Sequence, residues 1–182
     1  MLWLISDARN DARLAEALRH LPRGSGFVFR HYHLPPSARR TRFEQLARIA
    51  RASGHWTALA DEPALARQWG ADGVYGPSGR VASAGGLLRI ATVHSLRELG
   101  AAHRGGADLV MISPVFATRS HPGGKALGRV RALLLARRAL ASVVLLGGMD
   151  DHRARTLASR SLTGRAIVGW AAIDGLAGGP GQ

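Results

Sequence analysis

The chain has 182 residues, 46% of them apolar, enough to bury one sizeable core. It contains no cysteine, which excludes disulfides, thiolate metal sites and cysteine nucleophiles. Lys and Arg number 25 against 12 Asp and Glu, a formal charge of +13; but the one lysine is Lys125 and the arginines (Arg9, Arg39, Arg97, Arg131 and Arg155 among them) form no block, which argues against a dedicated nucleic-acid face and for a solvated surface compatible with phosphorylated small molecules.

Apolar runs alternate with helical patterns along the chain. Residues 2–6 form the first run, closed by Asp7. The N-terminus has no basic segment and reads as a strand, not a signal peptide, which with the lack of cysteine fits a cytoplasmic protein. No apolar run approaches the roughly 18–20 residues of a membrane span. Asp11 is a candidate N-cap for a helix through Leu14, Leu18 and Leu21. Residues 26–32 are the second run; Pro35-Pro36 breaks it, and a helix over 42–52 ends at Gly54. Residues 56–60 are the third run, closed by Asp61, and Glu62-Pro63 opens a helix that ends at Gly70. A short fourth run covers 72–75, and the small residues of 76–86 hold at most a very short helix. Residues 88–93 are the fifth run, after which Ser95 with Glu98 makes a capping box. The sixth run, 109–112, enters a polar loop, and a helix follows over 128–139. Residues 142–146 are the seventh run, ended by Gly147-Gly148 and followed by a helix over 150–161. The eighth run, 166–168, ends at Gly169-Trp170 with a short helix to Leu176.

Strands alternating with helices imply parallel βαβ units, and eight of them suggest a compact α/β (β/α)8 TIM barrel. At 182 residues its helices and loops must be trimmed. An open doubly wound sheet is the alternative. A single domain over 1–177 with a flexible tail at 178–182 is expected.

A barrel builds its site at the C-terminal ends of its strands. Those ends carry Asp7, Arg30-His31, Asp61, Tyr75, Thr92 with His94, the loop from Ser113 to Lys125, Gly147-Gly148 and Gly169-Trp170. Gly147, Gly148, Gly169 and Trp170, after strands seven and eight, are the candidate phosphate cradle, because glycine lets backbone N–H groups approach an anion.

The motifs Gly70-Ala-Asp-Gly-Val-Tyr75, Thr92-Val-His-Ser95 with Glu98, Gly106-Ala-Asp108, Ser113-Pro-Val-Phe-Ala-Thr118, Val144-Leu-Leu-Gly-Gly-Met149, and the stretch from Ala166 to Ile173 carry a specific likeness. In their order and spacing the chain resembles the thiamine phosphate synthase family, which includes a thiazole tautomerase branch. The resemblance implies a (β/α)8 barrel that joins hydroxymethylpyrimidine diphosphate to a thiazole phosphate, releasing diphosphate with the help of Mg²⁺. Such chemistry needs a held diphosphate, two oriented rings and charge stabilisation, but no strong base.

The resemblance also assigns roles. Arg30 matches a diphosphate-contacting arginine, Asp61 a metal-serving aspartate and Thr92 a serine; Thr118 and Ser120 match a hydroxyl pair on the thiazole-phosphate side. His121 stands where the family has a diphosphate-binding lysine, and Lys125 is four residues on and able to reach back. The catalytic candidates are therefore Arg30, Asp61, Thr92 and His121, and the substrate-binding candidates Thr118, Ser120 and Lys125, with Asp61 as the metal ligand. Several positions depart from the pattern. Tyr75 replaces a histidine, Arg80 a second metal aspartate and Ala60 an asparagine; Pro114 replaces the tautomerase branch's histidine, so tautomerase activity is not expected. Asp61 could instead cap the helix that follows it, and His94 reads as a hydrogen-bonded structural histidine. Thiamine phosphate synthesis is the expected function. The alternative is a diverged member that binds or isomerises a phosphorylated heterocycle, and a homo-oligomer is compatible with either.

Overall fold

The computed structural model describes residues 1–118, 125–158, 167–173 and 176. The strands are β1 (Leu2–Ile5), β2 (Gly26–Phe29), β3 (Trp56–Leu59), β4 (Gly73–Pro77), β5 (Leu88–Val93), β6 (Leu109–Ile112), β7 (Ser142–Leu146) and β8 (Ile167–Ala172). Each pairs in parallel with the next, and β8 returns to β1 with Leu2 opposite Trp170, so the sheet closes into a barrel. That closure rules out the open sheet. The helices between the strands are α1 (Leu14–His20), α2 (Pro36–Ala52), α3 (Pro63–Gln68), α4 (Ser78–Val81), α5 (Leu96–Arg104), α6 (Gly128–Arg138) and α7 (Asp151–Ala158). The single turn of α4 is the very short helix expected between Gly76 and Gly86.

The strands are mostly apolar because most of their residues are buried on both faces. Alternate residues point inward, where Trp3, Ile5, Val28, Ile90, Met111 and Val144 fill the barrel. Their neighbours, including Leu4, Phe27, Phe29, Leu59 and Leu145, pack outward against helix residues such as Phe43, Leu46, Leu99 and Leu135. A filled interior leaves chemistry to the strand ends. No helix among the described residues is long and apolar enough to cross a membrane.

The structure moves three boundaries. Helix α2 starts at Pro36, because proline fits the first helical turn, where its missing N–H has no partner to lose. Asp7, not Asp11, caps the first helical segment, a 3-10 turn over Ala8–Arg13: its carboxylate accepts the Arg9 N–H at 3.2 Å, and its own N–H donates to Asn10 Oδ1 at 2.8 Å. Strand β8 continues through Gly169-Trp170 to Ala172. The tail at 178–182 lies outside the described residues.

Candidate functional site

The C-terminal ends of the strands open into a cleft of about 780 Å³. Arg30 enters it after β2, Tyr75 and Gly76 from β4, and Arg80 from α4. Thr92 and His94 come from β5 and its exit, Thr118 and Lys125 flank the β6 loop, and Gly147, Gly148 and Arg153 lie beyond β7. Among the described lining residues four are cationic (Arg30, Arg80, Lys125, Arg153) and one, Asp150, is a carboxylate. Asp150 is paired with Arg153 at 3.5 Å, so the wall carries a net positive charge, which focuses the field on an anion.

The backbone of Arg30 is fixed from two sides. Its N–H donates to Ser6 Oγ at 2.7 Å, and its carbonyl accepts Arg39 Nε at 3.0 Å. Ser6 Oγ is also 2.8 Å from His31 Nδ1, His31 Nε2 is 2.7 Å from Asp11 Oδ1, and Arg42 Nε donates to the same oxygen at 2.8 Å. This serine, histidine and aspartate meet as a triad would, but Ser6 has no exposed surface and its oxygen is already bonded on two sides, so they prop the Arg30 loop and present no nucleophile. Burial lowers the His31 pKa despite the opposing Asp11 carboxylate. Burial raises that of Asp11, but the hydrogen bonds from Arg42 and His31 outweigh it and leave a net lowering.

Burial pushes the Tyr75 hydroxyl up to about 12, against the pull of Arg30, so it remains a protonated donor at the cleft. His94 donates Nδ1–H to the Ser113 carbonyl at 2.5 Å, which leaves Nε2 as its unprotonated nitrogen when the ring is neutral. The reading of His94 as hydrogen-bonded is met, and the ring also lines the cleft.

Gly147 and Gly148 sit at φ +97° and +60° and interlock with the β6 loop. Val115 and Phe116 donate to the Leu146 and Gly147 carbonyls at 2.9 and 3.0 Å. A Cβ on Gly147 would stand 2.7 Å from Pro114 Cα, and one on Gly148 2.6 Å from the Ala117 carbonyl oxygen. Arg153 secures the junction, bonding the Gly148 carbonyl and lying 4.7 Å above the Phe116 ring.

Arg30, Thr92, Thr118, Lys125, Gly147 and Gly148 thus meet at one cleft. Gly169 and Trp170 do not. Gly169 lies within β8 where a Cβ would overlap the Met1 carbonyl, and Trp170 is buried in the layer between barrel and helices. Glycine there serves backbone proximity inside the sheet, which in sequence looks the same as a strand end. Ser120 and His121 lie outside the described residues. Sequence reading missed Arg153 and Arg39. An arginine three residues after Asp150, just past the glycine pair, and one three residues after Pro36 were the available signals.

Asp61 is also placed differently from expectation. Its Oδ2 is 2.5 Å from Arg39 Nη1, its Oδ1 accepts the Glu62 N–H at 2.8 Å, and it is not among the cleft's lining residues. Arg39 also reaches the Ala60 carbonyl at 3.3 Å and lies near the rings of Phe29, Tyr32 and Trp69. It is a buried staple across the ends of β2 and β3, not part of the solvated surface. Mg²⁺ prefers carboxylate and phosphate oxygens in an octahedral array. Here the one carboxylate at the expected position is engaged by a cation and a backbone N–H, the second position is Arg80, and the described residues hold no group of three or more His, Asp or Glu that could grip a metal. These residues do not fit the Mg²⁺ expected from the sequence.

A family model described as thiamine monophosphate synthase matches residues 2–171. Among solved structures, the chain is similar to a thiamine phosphate pyrophosphorylase from Pyrococcus furiosus, at 23% identity and a TM-score of 0.81 over 98% of this chain and 88% of that one. Weaker likenesses are to the YdjI aldolase from Escherichia coli (12% identity, TM-score 0.65, 94% of this chain and 74% of that one) and to a FabK mutant from Thermotoga maritima (14%, 0.67, 94% and 60%). At these identities the structural likenesses speak to the barrel alone. The sequence matches no curated protein.

Proposed function

We propose, from the premise that the chain belongs to the thiamine monophosphate synthase family, that it joins a hydroxymethylpyrimidine diphosphate to a thiazole phosphate. The observation that carries this reading is the cationic cleft at the strand ends, where Arg30, Arg80, Lys125 and Arg153 line one cavity with Thr92 and Thr118. In the reaction, the C–O bond between the pyrimidine methylene and diphosphate breaks, and its electron pair leaves with diphosphate. The thiazole nitrogen lone pair then forms the C–N bond. No proton leaves a reacting atom, so no general base is required. The residues instead hold the leaving group, orient the rings and stabilise charge.

In this assignment Arg30 and Arg80 face the diphosphate, with the protonated Tyr75 hydroxyl beside Arg30 as a neutral donor. Thr118 and Lys125, across the cleft, suit the thiazole phosphate. The test is to incubate the protein with both substrates, across a Mg²⁺ series that includes EDTA, and to detect thiamine phosphate by mass spectrometry. Product is expected; its absence under every condition overturns the synthase reading. The engagement of Asp61 by Arg39 favours the second reading in that event, a member that binds or isomerises a phosphorylated heterocycle.

A further inference from the structure

We infer that this cleft takes a diphosphate without a divalent cation, the guanidinium groups of Arg30 and Arg80 supplying the positive charge that a metal would bring, with Glu62 as a built-in competing anion. The inference rests on the proposed function for its choice of ligand and on the cleft's own residues for the rest. A bound diphosphate needs several donors and a compensating positive charge. Arg30 is poised for that task, its main chain held by Ser6 and Arg39 and its charge felt by the Tyr75 hydroxyl. Arg80 comes from α4, just past the exit of β4, two strands round the barrel from β2, and its side chain lies along Gly76, where a Cβ would stand 3.1 Å from Arg80 Cδ. Both arginines line the same cavity.

The carboxylates near this wall are already paired. Asp61 is bonded to Arg39 and to the Glu62 N–H. Glu62 bonds Arg80, its Oε1 at 3.0 Å from Nε. The Glu62 side chain is 66% exposed and that of Arg80 33%, so this pair is solvent-screened and weak, and a phosphate oxygen can displace it. Among the described residues the other Arg80 nitrogens have no hydrogen-bond partner, which leaves them to a second oxygen in the planar fork that suits phosphate. Glu62 therefore holds Arg80 in place while the cleft is empty and gives way when a polyanion arrives.

The test is calorimetric titration of the full chain with inorganic diphosphate, in EDTA and in excess Mg²⁺. Binding in EDTA is expected to be within about threefold of that in Mg²⁺, Arg30→Gln and Arg80→Gln each to weaken it by about tenfold or more, and Glu62→Gln to tighten it about two- to fivefold. Arg19→Gln, on an exposed helix end away from the cleft, is expected to leave it unchanged. Each variant is checked for the parent's unfolding midpoint. If Arg80→Gln fails that check, the Glu62→Gln titration decides the role of Arg80, since it removes the competitor and keeps the guanidinium. Binding seen only with Mg²⁺, or unmoved by Glu62→Gln and by Arg80→Gln, overturns the inference. The synthase assay separates the two readings. Diphosphate binding in EDTA without product formation under any condition sinks the synthase reading and leaves this inference standing, whereas product formation together with diphosphate binding seen only in Mg²⁺ does the reverse.

Discussion

Arg39 shows how one side chain can settle the role of another. Its guanidinium serves the Arg30 and Ala60 carbonyls and the Asp61 carboxylate together. Arg39→Met keeps the apolar stem but strands those acceptors; because Asp61 stays partly exposed, the expected loss is about 2 kcal/mol, read from the urea midpoint, and an unchanged midpoint would refute the staple. His31 gives a second test. It faces Asp11, Arg42 and His33, and its native pKa is held below the 6.5 of a free imidazole, so the unfolded chain takes up the proton first. Its contribution to stability is whole above pH 6.5 and is lost as pH falls from there to the lowered native value. Asp11, also lowered, keeps its contribution above 3.8 and loses it as pH falls through its own native value. The unfolding temperature should therefore drop on acidification just below 6.5, and His31→Asn should flatten that segment; parallel curves would exclude His31 as its source. Neither the Arg39 staple nor the His31–Asp11 pair was legible. Arg39 was one arginine among many, and Asp11 looked like a helix cap because its partners, His31 just past β2 and Arg42 on α2, are distant in sequence.

The glycine pair after β7 makes the sharpest prediction about an element. Gly148→Ala must place a methyl against the Ala117 carbonyl at φ +60°, with an expected cost of about 1–3 kcal/mol in denaturant unfolding. Gly79→Ala, in α4 with open space around it, is expected to be neutral or to stabilise by up to about 1 kcal/mol, so equal effects at the two sites would refute the interlock. Strand positions were readable because a strand buried on both faces is an unbroken apolar run, as in Val-Val-Leu-Leu of β7. Boundaries were less so. Pro35-Pro36 reads as a break whether the second proline ends one element or begins the next, and Gly169 reads as an end although the ladder runs through it.

The charge of the whole molecule adds to the local site. A field built by +13 acts over distances that salt screens to roughly 8 Å at physiological ionic strength, while contacts within the cleft are screened less. Diphosphate affinity should therefore fall by about tenfold between low and half-molar salt and then level off; a flat response would mean that the spread arginines contribute nothing. The closed barrel was legible from the alternation of runs and helices. The gathering at the cleft was legible for Arg30, Thr92, Thr118 and Lys125, because each lies at the end of a strand or in the loop after it. Asp61 also follows a strand and yet turns to Arg39, a choice made by α2, far along the chain. The interlock of Gly147 and Gly148 with Pro114 and Ala117 bears on descent. A descendant that abandoned its chemistry would still need both glycines to seat one loop on the other, so the pair marks ancestry, whereas the residues at positions 30, 62 and 80 would drift once the ligand no longer mattered.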